Sequence, residues 1–252
     1  MAKQAGIIRL KGSIGGMSFY KTSDGYLVRE KGGIDGKRIA NDPAFQRTRE
    51  NGEEFGRAGA GSKLIRNAIR LLLQNVKDKR VASRLTTQLL KVIKTDAVNA
   101  RGERTIPEGN MALLHQFEFN KRAELHSQLA VNHSIQLDRS TGEVILSLDT
   151  FQPLTYIDAP EGTTHFKLGM GATELNFEDK SSVFDMEQTP LISYDSTDTP
   201  ATDLTATLTA GSTLPIVVVL GLEFYQEVNG TTYPLKNGSF NALAVVQVDQ
   251  TP

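Results

Sequence analysis

The hydrophobic pattern of this 252-residue chain changes from a helical to an alternating period near Leu125, and no other feature constrains its fold as strongly. Upstream, Leu64, Ile65, Ala68, Ile69, Leu72 and Leu73, then Val81, Leu85, Leu89, Val92 and Ile93, recur at spacings of three and four. That spacing predicts helices with one apolar face. Downstream the period is two. SIQLDRSTGEVILSLDTF reads as two strands around a Ser-Thr-Gly turn. HFKLGMG, TELNFE, PLISY, DLTATLTA, PIVVVLGLEFYQEV, TTYPLK and ALAVVQVD follow, with turn signals at Asn229-Gly230 and Asn237-Gly238. Many short strands at this spacing predict an antiparallel β-sandwich.

The first 35 residues also read as β: IIRLKG, GMSFYKT and GYLVREKGG, the last two joined across Ser23-Asp24-Gly25. Asp-Gly between alternating segments is a strong hairpin signal. Met17, Phe19 and Lys21 fall on one face, Ser18, Tyr20 and Thr22 on the other. An isolated hairpin is marginal in water, so this arm should lie on other structure, in its own chain or a neighbour's. Asp42 is placed to cap a helix that has Pro43 at its first position. Gly52, Gly56, Gly59 and Gly61 weaken that helix and predict its end by about Gly59, with further helices over about Ser62–Val76 and Lys79–Asp96 packed as a hairpin or bundle. The expected fold is α+β in three parts: a β-hairpin arm over 1–40, a small helical bundle over 41–120, and an antiparallel β-sandwich over 121–252.

Charge is sorted along the chain. Residues 1–104 carry 22 Lys and Arg against 10 Asp and Glu, residues 105–252 carry 6 against 19, and the whole nets to −1. Two oppositely charged halves point to association with a polyanion or with a copy of the same chain. There is no cysteine, which removes disulfides, thiolate metal sites and thiol nucleophiles. The N-terminal MAKQAGIIRLKGS lacks the apolar core of a secretory signal, and no stretch reaches the ~20 apolar residues of a membrane span. The expected location is the cytoplasm, or a particle assembled there, with no membrane partner.

Motifs for chemistry are weak. Gly56-Arg-Ala-Gly59-Ala-Gly61-Ser62-Lys63 suggests a phosphate loop, but the serine precedes the lysine and the segment follows a helix, so a glycine-broken helix junction is the better account. Gly169-Met-Gly171 suggests a bulge. His115, His126, His133 and His165 lie in separate segments without metal-ligand spacing, and no GxSxG is present. No enzyme, no metal site and no cofactor are expected. For nucleic acid, Arg66 with Arg70 and Arg80 with Arg84 are each one helical turn apart and could span neighbouring phosphates.

GSIGGMSFYKTSDGYLVREKGG (12–33), DPAFQRTRENGEEFGRAG (42–59) and APEGTTHFKL (159–168) resemble a family of uncharacterised proteins encoded in Bacteroidota genomes. The resemblance spans nearly the whole chain and implies the same layout of hairpin arm, helices and C-terminal β domain. It implies no activity.

Together these features predict a non-enzymatic, self-assembling structural subunit of a filament, tube, shell or phage-like particle. The arm of residues 5–33 would lie on an adjacent copy by strand addition or swapping, while basic helices face acidic β-domain loops. The candidate interface residues are Phe19, Tyr20, Tyr26, Arg29, Arg47, Arg49 and Arg57, against Glu178, Asp179, Asp195 and Asp198. The alternatives are a nucleic-acid-binding protein using the basic half, and an adaptor or ligand-binding module on the β domain.

Overall fold

The computed structural model describes residues 2–30 and 32–250. Met1, Lys31, Thr251 and Pro252 lie outside that description, as do the side chains of Lys236 and Asn237. Helices and antiparallel sheets are both present, and the chain divides into two compact units, 1–50 and 51–252.

In the first unit, β1 (Ala2–Lys3), β2 (Gly12–Ile14), β3 (Met17–Thr22) and β4 (Gly25–Glu30) form an antiparallel sheet in the order β1-β4-β3-β2. Ser23 and Asp24 make the turn between β3 and β4, and Gly25 follows at φ 112°, a conformation that glycine adopts without a Cβ penalty. Of the strand expected at IIRLKG only Gly12 enters a ladder, as the first residue of β2. Instead the Gln4 side chain accepts from the Leu10 N–H (2.9 Å) and donates to the Leu10 carbonyl (3.2 Å), so the local amide closes a loop where no neighbouring strand offers a ladder. Helix α1 (Gly36–Asn41) follows, with the Asp35 carboxylate accepting from the Lys37 N–H.

Asp42 accepts from the Ala44 N–H at 2.9 Å, and Pro43 opens a single 3-10 turn that feeds α2 (Gln46–Ala68). This helix runs 23 residues through all four glycines, where an end near Gly59 and a fresh helix from Ser62 were expected. Each helical glycine costs about 1 kcal/mol relative to alanine. Burial of Ala58, Leu64 and Ile65 along one side offsets the cost. Gly61 is required by packing, since a Cβ there would meet Ile106 Cδ1 at 2.3 Å. The helix stops where Ile69 leaves helical geometry. The single turn α3 (Arg70–Leu73) and then α4 (Val81–Lys94) complete the longer helical elements, α4 burying the expected Leu85, Leu89, Val92 and Ile93. Two further turns, α5 (Leu125–Gln128) and α6 (Pro153–Tyr156), punctuate the chain beyond.

The second unit holds two antiparallel sheets. β5 (His133–Asp138), β6 (Glu143–Leu148) and β10 (Thr202–Thr207) form one, in the order β10-β6-β5. The other is built on the long central pair β7 (His165–Asn176) and β11 (Ile216–Val228). β8 (Ser181–Gln188) and β9 (Ile192–Ser193) lie outside β7, and β12 (Thr231–Pro234) and β13 (Ala242–Asp249) outside β11. Pleating splits the apolar run of β11 between two cores. Ile216, Val218, Leu220, Leu222 and Phe224 join Val144, Leu146 and Leu204 of the smaller sheet, while Val217 and Val219 join Ile65, Leu72, Leu89 and Ile93 of the helices. Coverage on both faces explains why this strand is continuously hydrophobic.

The helices therefore share a core with the sheet, and the compact division falls between Glu50 and Asn51, within α2, where sequence pattern suggested boundaries after 40 and 120. HFKLGMG and TELNFE are a single strand, and β8 has no counterpart among the strands expected from sequence. Gly169 and Gly171 make no bulge, because β7 keeps register with both neighbours there. They admit Leu72 instead: a Cβ on Gly171 would stand 2.9 Å from Leu72 Cδ1 and 2.8 Å from Phe184.

Candidate assembly surface

Register assigns the faces of the N-terminal sheet. Ile14 pairs with Met17 and Phe19 with Val28, so these four share one face, while Tyr20 with Leu27 and Ser18 with Arg29 occupy the other. Met17 and Ile14 remain 53% and 63% exposed, and no described residue of 2–50 is buried. A sheet face carrying Ile, Met, Phe and Val has the composition of a face that packs against a second layer.

Cations dress the aromatic rings. The Tyr26 ring has the Arg9 guanidinium 5.2 Å and the Lys21 ammonium 5.6 Å from its centroid, and Arg29 lies 5.6 Å from that of Tyr20. Such contacts contribute about 0.5–1 kcal/mol at exposed sites and stiffen the ribbon more than they bury it. The Gln4 clamp closes residues 5–9 into a loop with fully exposed Ile7 and nearly exposed Ile8 at its tip, between Lys3 and the Arg9 and Lys11 side chains. This tip is the most uncovered apolar feature among the described residues.

The helical arginines divide by what holds them. Arg47 is exposed and pairs with Glu50 at 3.0 Å. Arg49 donates to the Ile39 and Asp42 carbonyls and so fastens α1 to the start of α2. Arg57 donates to the carbonyls of Gly102 and Arg104. Of the set proposed for phosphate, Arg66 donates to the Ser62 carbonyl. Arg84 pairs with Asp78 at 2.5 Å, donates to the Glu118 carbonyl and lies over the Phe117 ring. Arg70 and Arg80 are exposed, but Ile69 interrupts the helix between Arg66 and Arg70, and Arg80 precedes the first residue of α4. Neither pair forms the two-cation face that one continuous helix would present.

The acidic candidates separate. Glu178 and Asp179 sit in the turn after β7, their N–H groups donating to the Asn176 side chain, whose amide donates back to Asp179. Asp195 follows β9, which pairs with the opposite end of β7 at His165 and Phe166. It accepts from the Thr197 N–H at 2.7 Å, the main reason its carboxyl titrates below the usual range, with His165 assisting. Asp198 is exposed three residues on. Twelve residues of strand put the two acidic clusters roughly 35 Å apart.

Other acids are taken up as backbone acceptors, a use that charge counting does not reveal. Asp185 and Glu187 on β8 accept from the N–H groups of Thr207 and Thr205, capping the outer edge of β10 with carboxylates. Asp96 accepts from the N–H groups of Val98, Asn99 and Thr105 and from the Asn99 amide. Burial alone would raise its pKa, but these bonds outweigh it and hold the carboxyl at about 2. The ion pairs Arg38–Asp42, Arg47–Glu50, Arg84–Asp78 and Arg104–Glu54 lie within the basic half, and Arg139–Asp249 within the acidic half. Among the described residues no group of three or more acids or histidines is placed to hold a metal ion, and no helix is long and apolar enough to cross a membrane.

No family model and no curated protein matches the chain. A solved structure described as "pH-induced modulation of Streptococcus parasanguinis adhesion by Fap1 fimbriae" is similar over 49% of this chain and 85% of its own, at 14% identity and a TM-score of 0.24, a score too low to bear on fold or function.

Proposed function

We propose that the chain is a non-enzymatic structural subunit that assembles with copies of itself, residues 5–33 forming an arm that lies on an adjacent copy and 51–252 forming a β-sandwich body. One observation carries this: a four-stranded sheet with an apolar face and an isoleucine-tipped loop, in a unit none of whose described residues is buried. Ile7, Ile8, Ile14, Met17 and Ile34 remain exposed in the folded chain, and solvating such a set is costly unless a partner covers it. A copy of the chain is a partner always present at matching concentration, and a head-to-tail contact of this kind closes as a ring or continues as a filament.

Charge supports the same assembly more weakly. Arg9, Lys11, Lys21 and Arg29 dress the arm, while Glu178, Asp179, Asp195 and Asp198 remain at the edges of the body. Nucleic-acid binding has less support, because Arg66 and Arg84 already serve the chain's own carbonyls and Asp78.

Size-exclusion chromatography with light scattering tests the proposal. The full chain should elute as large species, and deletion of residues 1–33 should return it to monomer. Since the screening length falls from ~30 Å at 0.01 M salt to ~3 Å at 1 M, charge-held contacts should loosen with salt while apolar ones persist. A full chain that is monomeric at every salt concentration would sink the proposal.

A further inference from the structure

The 51–252 unit carries a groove of about 650 Å³ along α2, with Gly56, Ala60, Leu64, Ile106 and Phe177 as its apolar walls. Three exposed carboxylates, Glu53, Glu108 and Glu178, stand at its mouth. Two cations are also there: Lys180, and Arg57, whose guanidinium is bonded to the Gly102 and Arg104 carbonyls. The groove is open at Gly56, where a Cβ would meet nothing within 4 Å. Whatever fills the groove should thus be small and apolar at its tip and basic at its shoulders.

Among the described residues, the N-terminal loop has that character. The loop closed by Gln4 projects Ile7 and Ile8, flanked in sequence by Lys3, Arg9 and Lys11 and with no acidic residue between positions 2 and 23. We infer that the Ile7-Ile8 loop of one copy seats in the α2 groove of the next, its isoleucines against Gly56, Ala60 and Ile106 and its basic residues against Glu53, Glu108 and Glu178. This rests on the proposed self-assembly and names its receiving site. Complementarity is of both kinds: two exposed isoleucines meet an apolar trough, and three cations meet three carboxylates. The contact is heterologous, loop to groove, so each copy gives one loop and receives another. Of the acids selected from sequence it uses Glu178 alone.

Because the chain has no cysteine, the contact can be trapped in the full-length protein. Ile8→Cys with Glu108→Cys, both exposed positions, should give a ladder of dimers and higher multiples with a short bis-maleimide. Gly56→Leu in that background fills the trough while improving helix propensity. It should leave the melting temperature unchanged or raised and cut the ladder at least tenfold. Ile7→Asp with Ile8→Asp should reduce assembly measured by light scattering to a similar extent. A ladder that survives Gly56→Leu overturns the inference, as does a cross-link found only within monomers, which would mean that each loop fills its own groove. Assemblies lost on deleting 1–33 but intact in Gly56→Leu would leave the arm as linker and remove the groove as its seat. Assemblies that survive the deletion would remove both.

Discussion

The two sheet systems of this molecule are made of similar residues and differ in how many layers cover them. In the body, β11 sends Val218 and Leu220 to one core and Val217 and Val219 to the other by strand alternation alone, and each side meets a further layer of sheet or helix. In the arm, Ile14, Met17, Phe19 and Val28 share a face just as apolar, yet none of them is buried. Both are built of antiparallel ladders. Hydrogen-bonded ladders thus define a sheet, but removal of apolar surface from water at about 25 cal/mol per Å² stabilises it, and the described strands of the arm include no buried residue. The apolar face of the arm is the reason an intermolecular role is proposed for it.

Truncation should break the symmetry between these regions most sharply. Phe119 is fully buried and edge-on to Phe117 at 5.2 Å, so Phe119→Ala should cost about 4 kcal/mol in chemical denaturation. Ile14→Ala in the arm should cost under about 0.5 kcal/mol in the dissociated chain. An equal loss at both positions would show that the arm face is covered within one molecule. Next in size is the Asp96 hub. With a folded pKa of about 2 against an ordinary 3.8, its contribution is complete above about pH 4 and fades as pH falls through 2, amounting to about 2 kcal/mol. Asp96→Asn keeps one acceptor but sets an NH₂ against the Thr105 N–H and the Asn99 amide. That variant should lose a similar amount at pH 7 and show a flatter acid limb, read from urea midpoints between pH 2 and 7. Gly142→Ala should then cost roughly 2 kcal/mol, because φ is +79° and the added Cβ would lie 2.4 Å from the Leu208 carbonyl oxygen.

What sequence pattern could disclose was the local part of this arrangement. Asp42 and Pro43 begin their helix by side-chain chemistry within two residues, Asp24-Gly25 turns its hairpin, and the α4 stripe predicts its own buried face. The misses all depend on partners distant in the chain. Gly52 to Gly61 read as a helix terminus because the burial that carries α2 through them comes from Ile106, Leu89 and the sheet. IIRLKG alternates like a strand, but of its residues only Gly12 has a ladder partner, Phe19. Gly169 and Gly171 are small for the sake of Leu72, nearly a hundred residues upstream, and Asp185 and Glu187 look like surface charge until β10 is laid beside them. Of the proposed assembly surface, the alternation and the Asp24-Gly25 turn of the arm are legible in sequence, whereas the α2 groove, whose apolar walls come from positions 56 to 177, is not.

The smallest expected effect is also the most discriminating for α2, because the same substitution should change sign along one helix. Gly52 has open space where a Cβ would go, so Gly52→Ala should stabilise the chain by up to about 1 kcal/mol through helix propensity alone. Gly61→Ala gains the same propensity but drives a methyl to 2.3 Å from Ile106 Cδ1 and 3.3 Å from Phe177. Displacing those side chains should cost more than propensity returns. For a unit of this size 1 kcal/mol moves the melting temperature by roughly 2–4 °C, so differential scanning calorimetry resolves the pair. If both variants melt higher, Ile106 yields freely and the tight packing of α2 against it contributes little. If both melt lower, Gly52 is covered by a surface that the single chain does not supply, and the proposed assembly would involve α2 as well as the arm.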